Sequence, residues 1–294
     1  MDKTLRLRAY AKINLALDIV GRREDGYHLM DMVMQSVSLF DEVAVERTGD
    51  SIVLAGDETA MPLDGRNIAH RAAAAFFAAT GQPVGCRIEI EKHVPSQAGL
   101  GGGSGDGAAV LVALDALCGT HLGTEELRRI GAGVGADIPF MVGGGTARVG
   151  GIGEQIEPLP AMPACYILIA KPQVDVPTGS AFAAFDAARD PQRPDTGRCA
   201  AAVRRGSYQQ LCRSLGNAMA GDWLPPIIEE TRRRLLYLGA DAACMTGSGA
   251  AVFGLFERRG LAQLALRQLC DAGVRSWLCR PVAQGVEPAA GGAS

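Results

Sequence analysis

A chain of 294 residues, 48% hydrophobic and 21% charged, is long enough for one large domain or two moderate ones around a sizeable core. Aromatics make up only 5%, so Ala, Val and Leu must fill most of that core. A net charge of −3 gives no reason to expect a nucleic acid or an acidic membrane as partner, and no apolar run approaches the ~20 residues that span a bilayer.

The first segment, "TLRLRAYAKINLALDIVG" (4–21), alternates apolar and polar over much of its length and reads as one or two strands. Asp25-Gly26 in "EDGYH" is a tight-turn dipeptide. "DEVAVERTGDSIVLAGD" (41–57) predicts two short strands around "TGD". "NIAHRAAAAFFAATG" (67–81) is a helix stopped by Gly81, and "CRIEIEKHVP" (86–95) alternates as a strand. A glycine stretch follows, then the apolar helix "AAVLVALDALCG" (108–119), which has little polar face and belongs in the core. "TEELRRIGAGVG" (124–135) predicts a helix with Thr124 as N-cap, and residues 135–160 predict turns and a strand around "TARV".

"PLPAMPA" (158–164) is the best linker, which puts an N-terminal domain at 1–160 and a C-terminal domain at 161–285. Beyond it come a buried strand at 165–172, helices at 179–188, 199–220 and 225–238, and a strand, glycine turn and strand at 242–256. An amphipathic helix (259–273), a last strand (276–282) and an unordered tail (286–294) complete the chain. Strands and helices alternate with much antiparallel potential, so the fold class is α+β rather than doubly wound. Eight cysteines contain no C-x-x-C pair, so they predict reduced thiols in a cytoplasmic protein rather than a zinc or redox motif. The N-terminus shows no signal-peptide core. The scattered histidines have no ligand spacing, and no protein metal ligand is assigned.

The stretch "QAGLGGGSGDGAA" (97–109) places six glycines in thirteen positions just where a buried helix opens. Backbone N–H groups without a Cβ in the way, added to the positive end of a helix, make a nest for phosphate oxygens. A merely tight turn would need fewer glycines. The Walker pattern is absent, because no lysine lies in the loop. A dinucleotide fingerprint can be traced through Gly103, Gly105 and Ala108, but the strand before it ends about ten residues too early.

"VPSQAGLGGGSGDGAA" resembles the phosphate loop of the GHMP kinase superfamily. The likeness extends to "AYAKINLALDIVGRREDGYH", "GADIPFMVGGGTARVGGIGE", "KPQVDVPTGSAF" and "MTGSGAAVFGLF", in the same order along the chain. It implies a two-lobed fold, with an N-terminal mixed-sheet nucleotide-binding domain and a C-terminal α/β sandwich domain. It also implies ATP and Mg2+ as cofactors and a small-molecule alcohol as acceptor, here a methylerythritol unit carrying cytidine diphosphate. A homoserine or mevalonate kinase, or an inactive nucleotide-binding relative, is the alternative. The expected state is a monomer or weak homodimer.

By the same resemblance Lys12 and Asp137 are catalytic, the lysine as electrostatic stabiliser and the aspartate as base. ATP would lie on Asn67 and on the run Pro95, Ser96, Gln97, Ala98, Gly99, Leu100, Gly101, Gly102, Gly103, Ser104 and Gly105. Asn14, Tyr27, His28 and Thr178 would touch the substrate, with Tyr27 and His28 on the cytosine ring. Each residue has a plainer reading. Asp137 suits a helix start, Asn14 a structural amide, Asn67 and Ser104 helix caps, and Tyr27 a half-buried hairpin aromatic. Gly105 and Gly107 stand where serine and alanine are common in the family. Asp106 would repel phosphate if it faced the nest, so it is expected to turn away or to act through Mg2+.

Overall fold

The computed structural model of the chain describes residues 4–57 and 61–289. β1 (Thr4–Arg22) is a single strand, and β2 (His28–Arg47) returns antiparallel to it after the Asp25-Gly26 turn. Only the end of β2 is legible as a strand in the sequence. Its middle, "LMDMVMQSVSLF", is buried on both faces for much of its length, so the period-two signal is missing there. β3 (Ile52–Gly56), α1 (Ile68–Thr80) and β4 (Cys86–Glu91) follow, then α2 (Gly102–Cys118), α3 (Gly123–Ala132), α4 (Ile138–Gly143), β5 (Thr146–Gly151) and β6 (Gln155–Pro158).

The later part of the chain runs β7 (Tyr166–Lys171), α5 (Thr178–Ala187), α6 (Thr196–Arg204), α7 (Tyr208–Cys212), β8 (Gly216–Asn217) and α8 (Pro226–Tyr237). It ends with β9 (Ala242–Met245), β10 (Val252–Phe256), α9 (Arg259–Asp271), β11 (Arg275–Cys279) and β12 (Val286–Pro288). The architecture is α+β, as the alternation predicts. One sheet has the order β12-β1-β2-β4-β3, with β5 and β6 branching from β2 and β8 parallel to β1. The other is antiparallel, in the order β11-β7-β10-β9. α2 lies against β1 and β2 with Ala108–Leu111 fully buried, so it is the helix on which the first core is built.

Four expectations need correcting. Helix α2 begins inside the glycines, six residues before Ala108. Thr124 is not an N-cap: the cap position of α3 is Leu122, whose amide is taken by the Asp115 carboxylate of α2. Residues 199–220 are not one helix. Gly206, with φ of 63°, ends the α6 segment, Ser207 caps α7, and Gly216-Asn217 pairs with β1. The tail expected to be unordered from 286 contributes β12, which pairs with Leu7–Ala9 and leaves only residues 290–294 outside the described part. Among the described residues no helix is long and apolar enough to cross a membrane, and the eight cysteines are free thiols.

A carboxylate on β2 is held from both parts of the chain. Arg148 of β5 donates twice to the Asp31 carboxylate, at 2.8 and 2.7 Å, and the Thr196 hydroxyl of α6 donates to the same group. Arg148 is the main cause that holds the Asp31 carboxyl below the usual carboxylate range. A carboxyl so depressed stabilises the fold above about pH 4, and that contribution is lost as pH falls through the folded-state value. Asp31→Asn should therefore destabilise the protein at neutral pH and much less in acid. Urea titrations across that range check this, and an equal loss at every pH contradicts it.

Candidate active site

The segment between β4 and α2 crosses the opening of a cleft of about 990 Å3. Gly101 occupies the N-cap position of α2 with φ of 71°, in the left-handed region, and accepts the first helical bond from the Gly105 amide at 2.8 Å. The amides of the first helical turn, at Gly102, Gly103 and Ser104, have no partner within the helix. All three residues line the cleft. Amides left open at the positive end of a helix are suited to an anion, which is the use the glycine pattern leads one to expect here.

A second glycine turn braces the first. A Cβ on Gly99 would stand 2.1 Å from the Thr246 carbonyl oxygen, and one on Gly247 would stand 2.9 Å from the Gly99 Cα. The two turns therefore meet backbone to backbone, and both glycines hold positive φ, 71° and 57°. The Thr246 hydroxyl donates to the Gly99 carbonyl at 3.2 Å.

Strand β1 runs beneath both turns. Its Lys12 amide donates to the Leu100 carbonyl at 2.9 Å, and its Asn14 amide donates to the Thr246 hydroxyl oxygen at 3.0 Å. Residues 12 and 14 share one strand face, so their side chains emerge together. The register of β1 shifts between Tyr10 and Ala11 and again between Asn14 and Ala16, and these irregularities bracket the pair. The Lys12 ammonium, on a residue only 3% exposed, donates to Asn14 Oδ1 at 2.9 Å and stands 3.5 Å from Asp137 Oδ2. Asn14 Oδ1 also accepts from the Gly247 amide at 3.0 Å, and Asn14 Nδ2 faces Met32 Sδ at 3.3 Å. The amide of Asn14 thus ties Lys12 to the second glycine turn. Asp137 sits at the N-cap position of α4 but makes no capping bond with its side chain, so its carboxylate is left to face Lys12 and the cleft.

The far end of the cleft is aromatic. Tyr27 is 60% exposed on the turn before β2. The His28 ring stacks on Phe182 of α5, with centroids 4.5 Å apart, and its Nε2 bonds Asp186 at 2.7 Å. Thr178, at the start of α5, shares a hydroxyl contact of 3.1 Å with Ser248 of the second turn. Ile152, Phe182 and Ser248 line this end with them.

Of the residues singled out in the sequence, Lys12, Asn14, Tyr27, His28, Pro95–Ser104, Asp137 and Thr178 line this one cleft. Two do not. Asn67 is engaged as a cap, with Oδ1 accepting from the Ala69 amide and Nδ2 donating to the Pro62 carbonyl, both at 2.8 Å. Gly105 is buried against β1, where a Cβ would meet the Tyr10 carbonyl at 3.3 Å, so it serves packing rather than ligand contact. Asp106 turns away from the nest: the Lys92 ammonium donates to it at 2.7 Å and to Asp41 as well. Burial opposes the charge on Lys92, but the two carboxylates outweigh it and raise its pKa. Lys92, Phe182, Asp186 and Thr246 escaped the sequence reading. Phe182 and Thr246 lie inside two of the motifs that carry the resemblance, and Lys92 is one of four lysines in an arginine-rich chain, but none of them was given a role.

The GHMP kinases N terminal domain matches residues 67–145, and the GHMP kinases C terminal domain matches residues 199–275. The chain belongs to the GHMP kinase family. This GHMP kinase is 38% identical over 267 residues to a Clostridium tetani protein named 4-diphosphocytidyl-2-C-methyl-D-erythritol kinase, covering 90% of this chain and 95% of that one. An Exiguobacterium sibiricum protein of the same name is 39% identical over 274 residues, covering 91% and 96%. A crystal structure of 4-(cytidine 5'-diphospho)-2C-methyl-D-erythritol kinase superposes with a TM-score of 0.79 at 35% identity, over 94% of this chain and 99% of that one. A homoserine kinase from Cytophaga hutchinsonii, with a TM-score of 0.75 at 19% identity over 98% of both chains, shares the fold.

The contact between the two glycine turns is testable. A side chain forced into the left-handed region costs ~1–2 kcal/mol before any overlap. Gly99→Ala and Gly247→Ala should each lower thermal stability by at least that amount. Because both act on one contact, the double variant should lose less than the sum. Additive losses in a denaturation series would show that the turns do not depend on each other.

Proposed function

We propose that the chain transfers the γ-phosphoryl group of ATP to the 2-hydroxyl of 4-diphosphocytidyl-2-C-methyl-D-erythritol, a step of the non-mevalonate route to isoprenoid precursors. The observation that carries this reading is the Lys12 ammonium 3.5 Å from the Asp137 carboxylate, in the cleft that the phosphate loop opens into. The relatives' shared name supplies the substrate, and the aromatic end of the cleft suits a pyrimidine.

A tertiary hydroxyl is a weak nucleophile at neutral pH. Asp137 accepts its proton as the new P–O bond forms, the bond from the γ-phosphorus to the β-phosphate bridge oxygen breaks, and ADP leaves. Lys12 stabilises the negative charge shared by the attacking and departing oxygens. The loop amides hold the remaining phosphates in place. Tyr27 offers a face for the cytosine ring to stack on, and Phe182, under His28, closes that end. Asn14 positions Lys12 rather than spending its amide oxygen on the substrate. Mg2+ bound with the nucleotide would neutralise phosphate charge. Among the described residues no group of three His, Cys, Asp or Glu side chains could hold a metal ion, and Asp106 is committed to Lys92. The residues present do not build a cage of carboxylates for the ion, which would have to arrive with the nucleotide.

Turnover should appear with the cytidyl substrate and be absent with homoserine and mevalonate in an ATP-consumption assay. Lys12→Ala and Asp137→Ala should each lower kcat at least ~100-fold, about 2.7 kcal/mol, in a folded protein. Near-normal turnover by either variant removes its assigned role. Tyr27→Ala should bind cytidine diphosphate ~10-fold more weakly, in line with the ~1–3 kcal/mol of a base–aromatic stack. Unchanged affinity would move the base elsewhere.

A further inference from the structure

The helix that carries the phosphate loop has an unbalanced charge buried in its second turn. Asp106 is 2% exposed; its Oδ2 accepts from Lys92 at 2.7 Å, and its Oδ1 is buried with no hydrogen-bond partner. Lys92 also donates to Asp41 Oδ2. Asp41 Oδ1 receives the amides of His93 and Val94 at 2.6 and 2.8 Å. Asp41 thus has three donors and Asp106 one. A single ammonium between two carboxylates leaves a surplus negative charge where water cannot screen it.

Among the described residues, Lys92 and Asp41 are the charged groups that act on Asp106. Around its neighbours Gly105 and Gly107, β1 presents the Ala9 methyl and the Tyr10 carbonyl, α1 presents Ile68 and Ala72, and α4 presents Ile138 and Met141. The Tyr10 phenol is turned to Glu287, and the His93 ring to Glu91 and Phe40. Lys12 and Asp137 stand at Gly101, more than a helical turn earlier. Burial pushes the Asp106 carboxyl up to about 7, with Lys92 opposing the rise and Asp41 adding to it.

Asp106 comes four positions after Gly102, ~6 Å of helix rise. The triad therefore lies beneath the first turn, where Lys92 Nζ stands 3.3 Å from the place a Gly102 Cβ would take, and its net charge is negative. Like charges that close in a buried setting repel far more than in water. We propose that Asp106 is a positioning residue whose charge state sets the loop's hold on a nucleoside polyphosphate, taking up a proton from solvent when the polyanion binds. The proton forms the O–H of the Asp106 carboxyl, the triad becomes neutral, and Lys92 with Asp41 holds the loop without opposing its guest.

This rests on the nucleotide reading of the cleft, and it has a fixed sign. The polyanion raises the proton affinity of Asp106, so binding is tightest below about pH 7 and weakens as pH rises through the free-state value towards the bound-state value. ADP binding followed by titration calorimetry, from about pH 6 to about pH 9 and in two buffers of different ionisation enthalpy, reads both affinity and proton uptake. The terminal phosphate of ADP titrates near pH ~6 itself, but identically for every protein compared. Wild type should lose ~10-fold more affinity across that range than Asp106→Asn, the equivalent of a one-unit rise on binding. It should also take up more protons than the variant near neutrality. Asp106→Ala is the second neutral variant should the first not fold, and it should match it. Parallel pH profiles, or uptake by wild type no larger than the ADP phosphate explains, overturn the proposal and leave the nucleotide reading standing. Failure of wild type to bind ADP at any pH overturns both.

Discussion

A lysine ammonium buried in the middle of an apolar strand is the constraint around which the rest of this cleft is arranged. Taken out of water, Lys12 needs acceptors within reach. Asn14 supplies one from the same strand face, and Asp137 supplies the other from the start of α4. Asn14 in turn is fixed by the Gly247 amide and the Thr246 hydroxyl. The position of one charge therefore depends on β1, on α4 and on the β9–β10 turn at once. None of these elements places it alone.

The same dependence explains the glycines. The phosphate loop and the second turn approach until only main chain separates them, and side chains at Gly99 or Gly247 would hold them apart. This close contact joins the end of the second sheet to the helix start on the first. It makes one cleft out of residues more than two hundred positions apart. The aromatic end is joined by a similar bridge, with Asp186 of α5 holding both His28 and Arg22 of the hairpin. Under the proposed function, with the acceptor end on two distant segments and the phosphate end on backbone amides, recognition of the base would be separate from recognition of the phosphates.

Much of this was legible in the sequence, for identifiable reasons. The glycine run, the Asp25-Gly26 turn and the alternation of 86–91 are local signals, and the structure follows them. Lys12, Asn14 and Asp137 were found through resemblance; strand geometry explains why the first two share a face, but no local pattern links either to residue 137. Asn67 and Gly105 show the limit. A polar residue at a helix start has two uses, and in this chain the cap takes the Asn67 amide oxygen while the Pro62 carbonyl takes its nitrogen. A glycine in a phosphate loop can serve the ligand or the packing beneath it, and only the nearness of β1 tells which. The Asp41–Lys92–Asp106 cluster was not readable, because its members come from three elements with no shared spacing. The middle of β2 and the β12 strand were missed because burial on both faces and pairing at a chain end leave no periodic pattern.

The central claim is geometric: one carboxylate and one ammonium flank the hydroxyl that receives the phosphoryl group. A crystal structure of the ternary complex with a non-hydrolysable ATP analogue and the cytidyl substrate measures it most directly. The account predicts the accepting hydroxyl within hydrogen-bond reach of Asp137, about 2.6–3.2 Å, and the terminal phosphate between Lys12 and the loop amides. A hydroxyl held away from Asp137, or a terminal phosphate out of reach of Lys12, would contradict it.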